Sequence, residues 1–372
     1  MKRKIYLLII SVSYCMTVSS QYTTDKVVSQ KQQELKDSLK GSEYPYILPI
    51  WGQKAVKEGF NLPLSAGLSA QYIWQESDIV IDNLKVGFNN GELFNMDDLV
   101  RFNNARSTSY GVNIRPDVWV LPFLNVYGIF AQSRLSTAID AGIWLPRDST
   151  WTKVMDLNTK AEFNATTFGF GFTPTIGVGG FFMAFDMNFT WSDINELDKP
   201  AYAFVFGPRV GKNIPFKKPG RSLALWAGGF RVKLNSGTQG SLSVGDLFPT
   251  DKWEQRIDTG YMKLEESRQH ADDWWNSLSN GEQNKPGNIA RYELINSALT
   301  RFGGVLDAAS QAIGNLDNTT VQYSLDKKPK DMWNFLIGGQ LQINRQWMIR
   351  AEYGFLTSRH QFIGGLQYRF GL

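Results

Sequence analysis

The chain has 372 residues, 39 Lys and Arg against 35 Asp and Glu, and a formal charge of +4. Three of those cations, Lys2, Arg3 and Lys4, precede a short apolar run, so the rest of the chain carries only about +1, which gives no electrostatic case for nucleic-acid binding. One cysteine and two histidines argue against a disulfide framework or a thiolate metal site, and no run of about 18 apolar residues offers a spanning helix.

Residues 1–20 read as a secretory signal peptide: the basic start, the apolar stretch Ile5 to Tyr14, and Val18-Ser19-Ser20 ahead of Gln21. A lipoprotein reading would acylate Cys15, but bulky Tyr14 stands before it. Residues 21–59 form a polar lead-in. It includes an amphipathic helix over Asp25 to Lys40 and a proline-broken stretch, Tyr44 to Gly52, both expected on the periplasmic side.

From residue 60 the pattern changes to strict alternation, which sets successive side chains on opposite sheet faces. The first strand puts Leu68, Tyr72 and Trp74 opposite Ser69 and Gln71. The second, Thr108 to Val120, carries Arg115 and Asp117 on its polar parity. The third runs from Leu124 to Leu135, and the fourth alternates Phe168, Phe170 and Phe172 with glycines. The fifth opposes Phe185, Met187 and Phe189 to Asp186 and Asn188, and the sixth opposes Phe204 and Phe206 to Arg209. The seventh is read with Trp226, Phe230 and Val232 facing lipid and Arg231 and Lys233 facing inward, although Leu223 and Leu225 then fall on the polar side. The last three, within residues 332–372, put Trp333, Phe335, Ile349, Tyr353, Phe362 and Tyr368 on one face and Gln340, Arg350, Glu352 and Arg369 on the other. Residues 76–106 and 138–162 read as long polar connections, with strand character at Ile79 to Phe88.

Aromatic residues on one face and polar residues on the other are the pattern of a lipid-facing, polar-cored membrane barrel. The expected fold is all-β: an antiparallel transmembrane up-and-down β-barrel of about ten strands, within a range of roughly eight to twelve. Strands one to seven fall in 60–235 and strands eight to ten in 332–372. Short connections follow strands two, four, six and eight, and long ones follow strands one, three and seven, as expected for periplasmic turns and outer loops, while those after strands five and nine are brief.

Residues 236–331 interrupt the barrel with an α-helical hairpin. Its first helix repeats Trp253, Ile257, Tyr261, Leu264 and Trp275, and its second Tyr292, Leu299 and Phe302, at helical spacing. Each helix could be about 40 Å long. The hairpin either buries these two stripes against each other, lids or plugs the barrel, or packs on lipid or a partner protein with Trp274-Trp275 as an anchor. Strand parity puts it on the outer side.

Several segments resemble a group of uncharacterised Gram-negative, Bacteroidota-like outer-membrane β-barrel proteins. They are Ile47 to Gly52, Pro116 to Gly128, Gln322 to Asp326, Pro329 to Trp333, and the closing Tyr368-Arg369-Phe370. The resemblance implies an exported envelope barrel and no activity. The Tyr-Arg-Phe end resembles a barrel-assembly signal, here followed by two further residues, Gly371 and Leu372.

The expected partners are therefore outer-membrane lipid, the barrel-assembly machinery through the C-terminal strand, and a protein or lipid partner of the insertion. No cofactor, metal or nucleic acid is expected. The inward charges Arg115, Asp117, Asp186, Arg209, Arg231, Lys233, Arg350, Glu352 and Arg369 point to a salt-bridge network, or to a narrow anion-preferring passage. The function read from the chain is a non-enzymatic surface role: scaffold, binding or narrow solute transport. A lipid hydrolase using Ser358 and His360 is the enzymatic alternative, but a serine nucleophile needs its base oriented within hydrogen-bond reach. The paired acids Asp97-Asp98 and Asp272-Asp273 read as solvated loop and helix charges.

Overall fold

A sheet with a lipid-facing side must close so that no edge N–H or C=O is left unpaired, and ten strands do close here. The computed structural model describes residues 43–147, 150–178, 181–234, 237–244, 253–312 and 319–372. The signal peptide and the Asp25 to Lys40 helix lie outside them. The strands are β1 (Ala66–Phe88), β2 (Phe94–Asn95), β3 (Val100–Leu121), β4 (Leu124–Arg147), β5 (Thr150–Val178), β6 (Phe181–Ile194), β7 (Ala201–Pro215), β8 (Ser222–Leu234), β9 (Gly237–Ser243), β10 (Thr320–Pro329), β11 (Trp333–Gln342), β12 (Trp347–Leu356) and β13 (Arg359–Phe370). The helices are α1 (Gly52–Lys57), α2 (Trp253–Ser277), α3 (Asn280–Gln283) and α4 (Pro286–Ala312).

Antiparallel pairing runs β1-β3-β4-β5-β6-β7-β8-β11-β12-β13, and β13 returns to β1 from Ala66↔Phe370 to Ser77↔Arg359. This is the expected ten-strand barrel. Its outer surface is a belt of rings. Phe170 stacks on Phe189 at 5.2 Å, Phe189 meets Phe204 at 5.0 Å, and Trp347 meets Tyr368 at 4.9 Å. Phe335, Ile337 and Phe130 are more than half exposed, as lipid-facing residues would be. No helix among the described residues is long and apolar enough to cross a membrane.

Two predicted long loops are strands instead. β1 continues to Phe88, β3 begins at Val100, and β4 and β5 reach Arg147 and Thr150. Above the belt the outward positions become polar, as at Lys160 and Glu162, so the aromatic signal stops while the backbone ladder goes on. Such a sheet is apolar on one face and solvated on the other.

The insertion between β8 and β11 holds strands as well as helices. β10 pairs with the upper part of β1 from Ile79↔Pro329, just beyond where β13 leaves it, and β9 pairs with β10. The far edge of β9 is bonded to the β6–β7 connection: Asp198 N–H donates to the Gln239 carbonyl and Ser241 N–H to that of Glu196. The barrel wall is thus continued upward by a collar that joins the extensions of β1, β3, β4 and β5 to the added strands β9 and β10. The insertion stands at the end opposite the turns that join β3 to β4 and β11 to β12.

The lower end is held by the lead-in. Ile47 N–H donates to the Leu372 carbonyl at 2.8 Å, and Ile50 N–H to that of Val120 at 2.9 Å. Leu372 N–H in turn donates to the fully buried Ser65 hydroxyl. The Tyr44 hydroxyl is bonded to the Leu48 carbonyl, and burial together with nearby Tyr46 raises its pKa to about 12.

Candidate functional site: the lumen and its cap

Seven of the nine predicted inward charges do face the lumen, and they form two layers. Near the lower end, Asp117 accepts from Asn125 at 2.8 Å and Gln367 at 2.7 Å, and pairs with Arg369 at 3.1 Å. Arg369 also donates to the Leu64 carbonyl at 3.0 Å. In the middle, Arg209 bridges β7 to both neighbouring acids. It pairs with Asp186 on β6, and its Nη2 lies 2.9 Å from Glu352 Oε2 on β12. The other Glu352 oxygen accepts from Arg350 Nε at 2.8 Å. Thr173 donates to Asp186, and the Tyr127 hydroxyl donates to Asn188 at 2.9 Å. Buried charges need such saturation, because an unpaired one costs several kcal/mol. Arg115 is different: it lies 3.9 Å over the Tyr127 ring and has no carboxylate partner among the described residues.

Arg231 and Lys233 correct the sequence reading. On β8 the inward parity is Ala224, Trp226, Phe230 and Val232, while Leu225 is exposed on the belt. Arg231 and Lys233 therefore point outward near the upper rim. Trp226 fits inside because its register partner is Gly338, where a Cβ would stand 2.6 Å from the indole nitrogen. Gly171 makes the same allowance for Tyr127, at 2.4 Å. Inward aromatics facing inward glycines were the missed signal. Arg359 was missed as well. It is 2% exposed on the inward parity of β13, its Nε donates to Ser77 Oγ at 3.2 Å, and its Nη1 has no hydrogen-bond partner among the described residues.

Above the middle layer the lumen opens into a cavity of about 350 Å³. Arg115, Asp186, Arg209, Arg350 and Glu352 stand on its lining, together with amides such as Gln71, Asn113, Gln132 and Gln361. Higher still, the same inward face turns apolar. Ile79, Ile81 and Ala105 pack together with Leu325, and Lys327 donates to Thr137 at 3.3 Å.

The helices of the insertion rest on that face. Ile295, Leu299, Phe302 and Leu306 of α4 and Leu264 and Ala271 of α2 share one core with Leu99, Val100, Ala141, Ile143 and Leu145. Trp253 and Ile257 pack with Phe88, Val321 and Ala309. Of the other predicted stripe residues, Tyr261 donates to Asp307, and Trp275 stacks on Tyr292 at 4.5 Å. Trp274 lies under Arg291. The stripes thus meet the wall as well as each other.

Ser358 and His360 are not brought together. Ser358 donates to Asp331, while His360 Nδ1 lies 3.1 Å from the hydroxyl of belt residue Tyr353. The paired acids are structural: Asp97 accepts from Leu84 N–H, Asp98 pairs with Arg301, and Asp272 accepts from Tyr292. No cluster of three His, Cys, Asp or Glu that could hold a metal occurs among the described residues.

No family model matches the chain, and none of the curated proteins does. Solved structures do align over most of their length. The translocator domain of the autotransporter NalP from Neisseria meningitidis is 10% identical, covering 92% of this chain and 94% of its own, with a TM-score of 0.29. An outer membrane channel from Pseudomonas putida F1 is 10% identical over 83% of this chain and 96% of its own, with a TM-score of 0.26. A FadL homologue from Pseudomonas aeruginosa is 8% identical over 90% of this chain and 97% of its own, with a TM-score of 0.27. At such scores the barrel assignment rests on this chain's own strand pairing.

Proposed function

We propose that this protein is an outer-membrane barrel with a non-enzymatic binding role at the cell surface, closed to free passage of solutes. The aromatic belt supports the membrane setting, and the long outer extensions opposite short turns support a surface-facing insertion. One observation carries the closed reading. The inward face is crossed by two bonded polar layers and is then covered, on its upward continuation, by α2 and α4. In barrels of this strand number side chains largely fill the interior. The helical pair acts as a lid over the luminal cavity.

Reconstitution of the full chain in liposomes tests this. The expected result is no steady conductance from a chain whose heat-shifted gel mobility shows complete insertion. Steady ion-selective conductance would replace the binding role with a narrow transport role. The separation of Ser358 from His360 gives the hydrolase alternative no geometric support.

A further inference from the structure

One sector of the short-turn end gathers cations without acids. From Lys212 to Trp226 the chain carries Lys212, Lys217, Lys218 and Arg221 and no carboxylate, and the β11–β12 turn adds Arg345, again with no acid from Gly339 to Ile349. The β3–β4 and β5–β6 turns carry no charge, so the cations belong to this sector and not to short turns as such. The register sets the two basic turns side by side. The β7–β8 ladder ends at Pro215↔Ser222, Ser222 pairs with Gln342, and β11 turns back at Gln342↔Met348. Neighbouring strands lie about 5 Å apart, so the roots of the two turns span about 10 Å. A Cβ on Gly220 would stand 3.4 Å from Arg345 Cγ, which places the Arg345 stem against the β7–β8 turn. That turn is fixed in shape. Arg221 N–H donates to the Lys218 carbonyl at 3.3 Å across Pro219 and Gly220, and Gly220 has φ 76°, the pattern of a type II turn. Lys217, Lys218, Arg221 and Arg345 are exposed, and among the described residues none of the five cations is paired with a carboxylate.

The cations continue a lipid-facing surface. Ile214, Phe216, Leu225, Leu341 and Trp347 are exposed on this stretch of the belt, and Trp347 meets Tyr368. Lys212 lies within the belt: it shares the outward parity of exposed Val210 and Ile214, and its Nζ stands 5.5 Å over the Phe181 ring. A lysine on such a face extends its stem toward the interface, where headgroups meet it. We propose that the β7–β8 and β11–β12 turns bind an anionic phospholipid of the leaflet at the short-turn end. Its phosphodiester lies among Lys217, Lys218, Arg221 and Arg345, Lys212 approaches it along the belt, and its acyl chains lie on Ile214, Phe216 and Leu225. The inference rests on the membrane setting of the belt and not on the closed lumen.

The test is native mass spectrometry of the full chain in detergent micelles with equimolar phosphatidylglycerol and phosphatidylcholine. Each basic side chain near a membrane surface favours an anionic lipid by about fivefold, so the first lipid bound should be phosphatidylglycerol, by about tenfold or more. Replacing Lys212, Lys217, Lys218, Arg221 and Arg345 together by Gln should bring the two lipids to within about twofold of each other. Lys328→Gln, on the collar, should leave the preference unchanged. If the five-residue variant loses its heat-shifted gel mobility, Arg345→Gln alone decides: a preference lowered by about fivefold supports the site, and an unchanged one overturns it. A parent chain that binds the two lipids alike would overturn the proposal, as would a folded five-residue variant that keeps the preference. Displacement of phosphatidylglycerol by equimolar inorganic phosphate would place a free anion on the turns and overturn the lipid assignment. In each of these cases a heat-shifted parent leaves the barrel standing, whereas a parent that inserts into neither lipid would remove the membrane setting itself.

Discussion

The barrel and the collar above it share β1, β3, β4 and β5, to which the collar adds β9 and β10, and the shared strands carry opposite chemistry in the two regions. Along β4 the inward positions Asn125 and Tyr127 belong to the polar lumen, while Ala141 and Ile143 on the same parity belong to an apolar core. The outward positions reverse in step: rings such as Phe130, Phe168 and Phe170 in the belt give way to Lys160 and Glu162. One backbone ladder thus passes from a lipid solvent to water, and the side chains invert around it. The hydrophobic effect holds the collar together, whereas it cannot discriminate inside from outside where lipid is as apolar as any core. In the barrel, closure of the backbone ladder and saturation of the luminal charges take its place.

The largest effects should come from breaking each region by its own rule. Arg209→Ala leaves Asp186 and Glu352 without their shared cation, and breaking a buried pair costs about 3–5 kcal/mol. Urea unfolding from liposomes should show that loss, and a change below about 1 kcal/mol would mean that water already screens the layer. Phe302→Ala should cost about 3–5 kcal/mol by opening a cavity in the collar core, where Phe302 is fully buried. Its loss should appear as faster amide exchange in α2 and α4 while the barrel keeps its heat-shifted mobility. Equal loosening of β11 to β13 would show instead that collar and barrel melt as one unit.

Lys327 tests the apolar side of the comparison with a charge. It extends from β10 toward Thr137, and burial pushes its amine down to about 8 from the ordinary 10.5. A base whose folded pKa is lowered binds fewer protons folded than unfolded between those two values. Stability should therefore rise with pH across roughly 8 to 10.5, and the penalty of burying the cation is fully present at neutral pH. Lys327→Met should stabilise the collar at pH 7 by on the order of 1–3 kcal/mol, and the gain should vanish near pH 10. A gain that is the same at pH 7 and pH 10 would trace to packing rather than to charge.

How much of this was readable from sequence follows the same division. The belt was legible, because aromatic alternation survives wherever lipid is the solvent, and it placed β11, β12 and β13 and their charges Arg350, Glu352 and Arg369 on the correct faces. The helical stripes were legible too, since Leu264, Leu299 and Phe302 repeat at helical spacing and are buried. The extensions of β3 to β5 were not, because their outer face is solvated and resembles loop. β9 and β10 were missed for a different reason: their partner is the far end of β1, and β9 through β10 carries polar residues such as Gln239, Ser241 and Gln322 that give no periodic signal. Arg359 was hidden between Ser358 and His360: the parity counted from Phe362 was applied to those two residues and not to the one between them, which it sends inward.

The smallest expected effect is the sharpest check on β8. Hydrophobicity alone sends Trp226 and Phe230 to lipid and Arg231 and Lys233 inward, whereas the pairing of Trp226 with Gly338 sends them the other way. Arg231 sits at the upper rim, with Nη2 3.5 Å from Met332 Sδ. An arginine near the interface reaches water along its own stem, so Arg231→Gln should change stability by no more than about 0.5 kcal/mol. The same substitution at an inward ion-paired position would cost several times more. Nitroxide labels at residues 231 and 226 read the faces directly. Accessibility to a water-soluble or interfacial quencher at 231, with the label at 226 excluded from lipid-borne oxygen, is the expected pattern. The reverse would restore the inward placement of both cations and raise the luminal charge further.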